Sequence, residues 1–382
     1  MPKRTVATLW MLLLGLAAAA TAGVLQASAQ PDSIGFISID CGLPGTANSV
    51  DDTTTLSYAP DAAFTDAGSN QNISVEYITP SLSKRYLNVR TFPNGVRNCY
   101  TLRSLEAGLK YLLRAEFMYG NYDGLNKPPI FDLYAGVNFW SMVNVSTPDG
   151  IVTLEAVVVV CLVDTGSGTP FISALELRPH KTSLYPQANA TQGLVLFARR
   201  NFGTTDATDI VRQGHITPLN ASSNISLFWD SAPQPRDPTP RYMAIMHFSE
   251  LVRLSGTAVR EFFIEVNDVV WQSSLGFRPD YLFSDSSYST APLPASTRYT
   301  IHINATANST LPPFINAIEV YSVISTTNVG TESSDVSAIT AIKDKYRVQK
   351  NWAGDPCSPK TFAWDGLTCS YAVSSYSRIT AM

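Results

Sequence analysis

A seven-residue pattern occurs twice in the chain, and this internal repeat constrains the fold more than any other feature. The pattern Phe-Ile-x-Ala-apolar-Glu-apolar occupies residues 171–177 and returns at residues 314–320. A similar aromatic and aliphatic run precedes each copy, at 111–117 and at 242–248. Self-similarity over this length predicts two tandem domains of one architecture.

Period-two patterns predict that both units are built from strands. Apolar and polar residues alternate in 111–118, 262–266 and 301–303, which is typical of half-buried strands. The continuous apolar, β-branched run 156–163 predicts one strand buried on both faces. Long helical patterns are few, so the fold class is all-β, with packed sheets.

Two polar stretches divide the chain further. Residues 180–193 are the natural linker between the two units. The Ser-, Thr- and Asn-rich stretch 322–337 predicts a second loop or linker, and 336–346 then shows apolar residues at helical spacing.

The N-terminus has the three parts of a secretory signal. Lys3 and Arg4 precede the apolar run 9–20, and the small residues 27–29 suit signal peptidase. We predict cleavage after Ala29, which gives a signal peptide at 1–29. The alternative is a retained signal anchor, which the short apolar run disfavours. No later run reaches the ~20 apolar residues of a spanning helix, so a soluble mature chain is expected.

Sequons and cysteines agree with export. Seven Asn-x-Ser/Thr sequons predict a glycosylated surface. The sequons lie at Asn72, Asn144, Asn189, Asn220, Asn224, Asn304 and Asn308. Five cysteines should pair in an oxidising compartment where geometry allows, and the odd number leaves at least one thiol over or bonded to another chain.

Several classes of function are disfavoured. The net charge is −4 and no Lys or Arg run is long enough for phosphate backbones, so nucleic acid is not expected as a partner. The four histidines have no metal-ligand spacing, and no cofactor is predicted. They are His180, His215, His247 and His302.

One motif could suggest an aspartic protease. Asp164-Thr-Gly-Ser167 follows two apolar residues, and Asp66-Ala-Gly-Ser69 is a weak second copy. A catalytic dyad needs two such loops in contact. The second copy has Ala67 where the motif has Thr or Ser, and it precedes the first copy in the chain. A turn before a closing strand explains Asp164 more simply.

Four segments point to a family. Residues 37–42 (ISIDCG), 97–102 (RNCYTL), 119–123 (YGNYD) and 164–178 resemble the extracellular malectin-like region of plant leucine-rich-repeat receptor kinases. The resemblance extends from about Ile34 to the end. It implies two malectin-like β-sandwich domains, at 34–180 and 194–325, joined by a linker at 181–193. A second linker at 326–335 would follow.

The last part of the chain is similar to the cap that precedes the leucine-rich repeats in those receptors. Trp352, Cys357, Trp364 and Cys369 carry this likeness, which implies a cap at 336–382. The family plan continues with repeats, a membrane helix and a kinase, but this sequence stops at Met382 and holds no His-Arg-Asp or Asp-Phe-Gly motif. We therefore expect no kinase activity and no other enzymatic activity from this chain.

Cysteine pairing is expected within this cap. Cys357 and Cys369 have no His or further Cys nearby, so a disulfide is favoured over half of a zinc site. Cys41, Cys99 and Cys161 leave one pair and one spare thiol, and the sequence does not decide which.

The loop after the strand at 111–118 is the candidate ligand site. Tyr119, Asn121, Tyr122 and Asp123 combine aromatic rings with amide and carboxylate groups, the chemistry that binds sugars. The resemblance supports this, because animal malectin holds a diglucose with aromatics and an Asp on such loops. The alternative is that these residues only shape the loop, with Tyr119 in the core.

The resemblance implies an extracellular receptor domain at the outer face of the plasma membrane or in the secretory pathway. Its partner would be a cell-wall oligosaccharide or a secreted peptide, with or without a co-receptor, bound on loops or in the cleft between domains. The rival hypotheses are a secreted hydrolase (glycosidase or protease) and a soluble decoy of a membrane receptor.

Overall fold

The computed structural model describes residues 36–102, 105, 109–156, 160–180, 184–189, 191–203, 215–271, 276–350, 352–371 and 376–382, with the backbone alone at 160–165. The predicted signal peptide at 1–29 lies outside these residues. No helix among them is long and apolar enough to cross a membrane.

The described part of the first unit has thirteen strands. They are β1 (Ile37–Asp40), β2 (Ser49–Val50), β3 (Ser57–Pro60), β4 (Ser69–Asn72), β5 (Asn88–Thr91), β6 (Arg97–Cys99), β7 (Lys110–Met118), β8 (Ile130–Ala135), β9 (Asn138–Asn144), β10 (Ile151–Ala156), β11 (Val160–Ser167), β12 (Phe171–Ile172) and β13 (Ala174–His180). Short 3-10 turns lie at Asp61–Ala63, Val75–Tyr77 and Lys84–Tyr86.

The second unit and the C-terminal segment hold the remaining elements. The second unit has β14 (Gln192–Asn201), β15 (Ile225–Asp230), β16 (Tyr242–Phe248), β17 (Phe262–Val266), β18 (Val269–Val270), β19 (Asp285–Tyr288), β20 (Arg298–Ala305) and β21 (Ala317–Ser325). The C-terminal segment has the helix α1 (Ser333–Tyr346), a 3-10 turn at Lys360–Phe362, and the strands β22 (Thr368–Ser370) and β23 (Arg378–Ala381).

One sheet crosses both units. Its ten strands follow the order β19-β16-β21-β14-β10-β7-β13-β1-β3-β2, so the second unit contributes the first four and the first unit the rest. A sheet β6-β11-β8-β9 covers the first unit, and β15-β20-β17-β18 covers the second. Each unit is therefore a sandwich, with its own core between two sheets.

Strand register confirms the repeat found in the sequence. Ala174 lies opposite Glu116, and Ala317 lies opposite His247. The third residue of each seven-residue pattern accepts a hydrogen bond from the main chain. In the first unit, Ser173 Oγ accepts one from Met118 N at 3.0 Å. In the second unit, Asn316 Oδ1 accepts one from Ser249 N at 2.7 Å. The prediction of two tandem sandwiches of one architecture is thus correct.

The predicted alternation of buried and exposed residues is also present. In β17 and β20 the residues Phe262, Ile264, Ile301 and Ile303 are buried, while their neighbours are half-buried. The polar face of β7 is less open than expected, because Arg85 Nε reaches Glu116 Oε2 at 2.7 Å and so allows the carboxylate to be buried.

Two local predictions are wrong. The run 156–163 is not one strand, because β10 ends at Ala156 in the ten-stranded sheet and β11 begins at Val160 in the covering sheet. A continuous apolar run in the sequence does not reveal such a change of sheet. The stretch 322–337 is not one loop either, since β21 runs to Ser325 and α1 begins at Ser333, with Glu332 accepting from Ser334 N.

The C-terminal segment folds back onto the first unit rather than onto the second. Arg97 of β6 donates to the carbonyl oxygens of Ser358 at 2.7 Å, Ala353 at 2.9 Å and Asp355 at 2.5 Å. Within the segment, Trp352 and Trp364 stack with ring centroids 5.1 Å apart. Lys343 adds a second link to the first unit, because its ammonium group lies 2.8 Å from the Asp66 carboxylate.

Candidate functional site

Gly120 and Asn121 turn the chain sharply at the end of β7 and create the predicted loop. Gly120 has a φ of 51° and Asn121 a φ of 49°, in the left-handed region that glycine and asparagine tolerate best. A Cβ at Gly120 would lie 2.4 Å from Ile73 Cγ2, so no other residue fits without displacement. The turn directs Tyr119 back into the sandwich, where it is fully buried.

The polar groups of this loop bond mainly to one another. Tyr119 OH donates to the Asp123 carboxylate and lies 3.3 Å from Asn121 Oδ1. Asn121 Oδ1 also accepts from Asn126 N at 2.8 Å, and Asp123 Oδ1 accepts from Leu125 N at 3.0 Å. These bonds are typical of a self-supporting loop.

Two of the four predicted residues remain accessible from solvent. Asp123 is exposed and Tyr122 is half-buried, with its ring 5.4 Å from that of Phe171 and its hydroxyl donating to Thr169 O. Burial and the hydrogen bond to Asp123 raise the pKa of Tyr119 to about 12, so its hydroxyl stays protonated near neutral pH. The structure therefore brings the four residues together but turns only part of the set outward.

The equivalent position in the second unit has a different chemistry. Glu250 is the counterpart of Tyr119. Each follows the residue whose main-chain N–H donates to the third position of the repeat, which is Met118 in the first unit and Ser249 in the second. Arg260 Nε lies 2.7 Å from Glu250 Oε2, and both side chains are buried at this end of the sandwich. At 249–253 the second unit has none of the Tyr, Asn and Asp side chains of the loop in the first unit.

Strand pairing contributes to the boundary between the two units. Within the described residues, β10 and β14 are joined in the ladder through Ala156 and Val195. From this pair β10 follows β7 toward Met118, while β14 follows β21 toward Ala317. Beyond the pair, no described strand runs beside β14 on the side away from β21.

Ion pairs join the units on one face of the shared sheet. Arg114 lies 2.7 Å from Glu155 and 3.1 Å from Glu176, both in the first unit. Arg199 of the second unit then bridges Glu155 at 3.0 Å and Glu319 at 2.7 Å. Glu176 and Glu319 are the same position of the repeat, so the duplicated motif supplies both ends of this ion-pair ladder.

Glu319 is held in its charged form. Burial acts to raise the pKa of Glu319, but the hydrogen bond with His247 and the Arg199 charge lower it to about 2. A buried carboxylate without such partners would be costly. The ion-pair ladder therefore allows carboxylate side chains to be buried where the two units meet.

On the opposite face, a small cavity separates the units. Phe139 and Trp140 of β9 line it from one side, and Phe197, Asp237 and Tyr242 line it from the other. The units touch beside it, where Met142 N donates to Gln234 Oε1 at 3.0 Å and Arg236 pairs with Asp132.

A groove lies on the second sandwich, between its two sheets. We call it the edge groove, and its walls come from β14, β15 and β21. It is lined by Ala198, Arg200, Leu227, Phe228, Trp229, Ile318 and Val320. The Phe228 ring is 60% exposed, and Arg298 stands over it with its guanidinium carbon 4.8 Å from the ring centroid.

A β-bulge between Leu196 and Ala198 shapes the start of the groove. The bulge places Phe197 between the cavity and the groove, with its ring 5.0 Å from that of Tyr242 and 37% exposed. Bulges redirect side chains at such points. Sequence patterns did not indicate Phe197, Phe228 or Arg200, because the site forms only when β14 and β15 come together.

The cysteine predictions are resolved in part. Cys357 and Cys369 form the predicted disulfide, with their Cα atoms 5.9 Å apart. Cys41 is a free, buried thiol, and Cys99 is disulfide-bonded. Strand register sets Cys161 opposite Cys99. No group of three or more metal-ligating side chains forms within the described part of the chain.

Six of the seven sequons are exposed. Asn304 is the exception, since it lies within β20, is half-buried, and donates from Nδ2 to Glu265 Oε2 at 3.1 Å. The Asp66 side chain of the weak protease-like copy pairs with Lys343 at 2.8 Å.

Comparison with known proteins agrees with this architecture. The malectin-like domain profile matches residues 39–215 and 207–323. The Arabidopsis thaliana leucine-rich repeat receptor-like protein kinase At2g19210 is 37% identical over an alignment of 408 positions, gaps included, which covers 94% of this chain and 45% of that protein. The LRR receptor-like serine/threonine-protein kinase At1g05700 is 36% identical, over 98% of this chain and 48% of its own length. The chain thus spans about half the length of these relatives.

Solved structures share the fold. The ANX1 ectodomain from Arabidopsis thaliana superposes with a TM-score of 0.59 at 15% identity, covering 76% of this chain and 96% of that one. FER in a complex with the plant peptide RALF23 and LLG2 superposes with a TM-score of 0.55 at 13% identity, covering 77% and 96%. With two sandwiches, the repeat and the profile in agreement, this chain belongs to the malectin-like domain family.

Proposed function

We propose that this chain is the ligand-recognition part of an extracellular receptor, and that it binds a secreted peptide at the boundary between its two sandwiches. The observation that carries the proposal is exposed aromatic surface near the boundary. Phe228 in the edge groove is 60% exposed, and Phe197 at the neighbouring cavity is 37% exposed. Exposed apolar surface of this kind marks interaction sites.

Two further points support a peptide. The FER complex, which shares the fold, contains a peptide and a second protein. The edge groove is also lined by side chains from three strands and has a mainly apolar surface with one arginine, which suits a peptide with apolar side chains more than a sugar ring. By this proposal the chain acts outside the cell, as part of a receptor at the plasma membrane, and carries no catalytic step of its own.

The experiment uses the secreted, glycosylated chain. Peptides selected from a random displayed library would be titrated calorimetrically, and the contact region mapped by hydrogen exchange. We expect protection in β14, β15 and β9. Protection confined to other surfaces, or heat from oligosaccharides alone, would refute the peptide proposal.

A sugar site at the Tyr119 loop is the second candidate. Its support is the exposed Asp123 carboxylate beside the half-buried Tyr122 ring, a pairing that sugar-binding loops use. The test is calorimetric titration with diglucosides and cell-wall oligosaccharides, with Tyr122→Ala as the control. Binding that disappears in the variant, at unchanged circular dichroism, supports this loop; no heat with any sugar removes it.

A further inference from the structure

The cavity at the boundary between the units has aromatic walls from both units. Phe139 and Trp140 belong to the first unit, and Phe197 and Tyr242 belong to the second. Its volume is about 20 Å³, which is room for one water-sized group, because about 10–15 Å³ suffices for a single water. The Phe197 ring is 37% exposed, so solvent reaches this lining. The cavity therefore admits a compact head group but no sugar ring.

One carboxylate at this lining has no partner. Asp237 lines the cavity from the loop 231–240, is half-buried, and forms main-chain hydrogen bonds with Gln234. Within the described part of the chain, no side chain or main-chain N–H donates to its carboxylate. Burial raises the pKa of Asp237, and the Arg241 charge only partly opposes this. A carboxylate in such surroundings is stabilised by a cation.

The charged groups around Asp237 leave it available to a ligand. Arg236, next to it in the chain, is engaged by Asp132 of the first unit. Arg241 is exposed and forms no ion pair with Asp237, so water and salt screen its charge. A cation inside the cavity would thus meet one carboxylate at close range and only screened positive charge.

We propose that this cavity receives the ammonium group of a lysine side chain of the peptide that the receptor binds. The ammonium group pairs with the Asp237 carboxylate, and the aromatic walls add cation–π attraction. Because the walls come from both units, a lysine held here contacts both sandwiches at once. This inference rests on the proposed function and names the side chain that the boundary selects.

Size and charge decide between the candidate head groups. A carboxylate beside aromatic rings favours a cation over a neutral or anionic group. Lysine ends in a compact ammonium group, whereas arginine ends in a wider, planar guanidinium group. A cavity for one water-sized group fits the first and not the second. The boundary should therefore prefer lysine to arginine.

The decisive experiment measures which basic residue each variant selects. Random hexapeptides would be selected on the wild-type glycosylated chain, on Asp237→Asn and on Asp280→Asn. Asp280→Asn is the matched control, because it removes a carboxylate at an exposed position of the same unit. We expect wild type and control to enrich lysine over arginine, and Asp237→Asn to show no such preference.

Small probes test the cavity apart from any peptide. n-Butylammonium carries the lysine head group, n-butylguanidinium the arginine head group and n-butanol a neutral one, and NMR titration measures their affinities. n-Butylammonium should bind wild type and Asp280→Asn most tightly of the three, and should bind Asp237→Asn at least about tenfold more weakly. Phe197→Leu keeps an apolar wall without the ring and should weaken n-butylammonium binding at least about twofold. All variants should keep the wild-type thermal midpoint.

The outcomes separate this site from the proposed function. Peptides selected without a lysine preference, and bound equally by wild type and Asp237→Asn, would overturn the site while peptide recognition stands. Binding of n-butylammonium that requires Asp237, with no peptide selected, would uphold the site and remove the peptide proposal. Equal affinities of the three probes, or no binding of any of them, would overturn the site.

Discussion

Asp40 and Asn201 occupy one position in the two sandwiches, each at the end of the strand that opens its unit and each opposite the alanine of the repeat. Asp40 is fully buried, and one of its oxygens accepts from Ser49 Oγ at 2.8 Å. Burial, opposed by that hydrogen bond, raises the pKa of Asp40 to about 6. Asn201 is thus the neutral counterpart, in the second unit, of the ionisable Asp40 in the first unit.

Replacing Asp40 by Asn is expected to stabilise the protein near neutral pH. A carboxyl with a raised pKa favours the folded state only while protonated, so wild type loses stability as the pH rises from about 4 through 6. The variant should remove roughly 2 to 3 kcal/mol of this loss. Urea unfolding at pH 4 and pH 7.5 measures it. Asp52→Asn is the control, because the Asp52 side chain is 75% exposed. If the unfolding free energy changed equally with pH in wild type and Asp40→Asn, the prediction would be wrong.

Arg199→Ala should weaken the joint between the units. It leaves two buried carboxylates, Glu155 and Glu319, without their shared cation. We expect a loss of about 2 to 4 kcal/mol in unfolding free energy. The matched control is Arg298→Ala, whose partner Asp230 is exposed, and it should show no measurable change. A similar effect of both variants would mean that the ladder does not stabilise the boundary.

Arg97→Lys should loosen the C-terminal segment. A lysine ammonium cannot reach the three carbonyl oxygens that the planar guanidinium group holds together. Limited proteolysis should then cut within 326–332 at least several-fold faster, while the Cys357–Cys369 bond persists. Arg347→Lys changes an exposed arginine of the same segment and should leave the cleavage rate unchanged. Equal rates for wild type and Arg97→Lys would show that other contacts hold the segment.

A pair of glycines tests the Tyr119 loop. Gly120→Ala combines a left-handed backbone with a contact of 2.4 Å to Ile73, whereas Gly124 has a φ of 71° and open space around it. We expect Gly124→Ala to cost about 1 kcal/mol and Gly120→Ala at least twice that. Thermal unfolding compares them directly. Equal costs would indicate that the loop moves to accommodate the methyl group.

Asn304 should carry the least glycan of the seven sequons. Its Nδ2, the atom to which glycan is attached, donates to Glu265 inside a paired strand, so folding competes with modification. Glycopeptide mass spectrometry after enzymatic release in heavy water gives each occupancy. Asn308, four residues further and exposed, is the internal reference; occupancy at Asn304 equal to that at Asn308 would disprove the expectation.

The sequence predicts the architecture well because the repeat is local and complete in each copy. Residues 171–177 and 314–320 identify equivalent strands without any knowledge of long-range contacts. The site is harder to predict. The sequence shows the aromatic and polar composition of the Tyr119 loop. Which of its side chains face solvent depends on a turn in which Gly120 and Asn121 adopt positive φ.

Features that depend on distant contacts could not be predicted. Arg97 holds a segment more than 250 residues further along the chain, and no local pattern encodes that contact. The edge groove likewise depends on the bulge at Phe197 and on the approach of β15 to β14 and β21. Periodicity describes which face of a strand is buried, but not which strand lies beside it.

The return of the C-terminal segment to the first sandwich has a mechanical consequence. A pull on the end of the chain passes first to the three bonds of Arg97 and only later along β21 into the second sandwich. Tension applied there would therefore load the first sandwich directly. The second sandwich would carry little of this tension until the Arg97 contacts break.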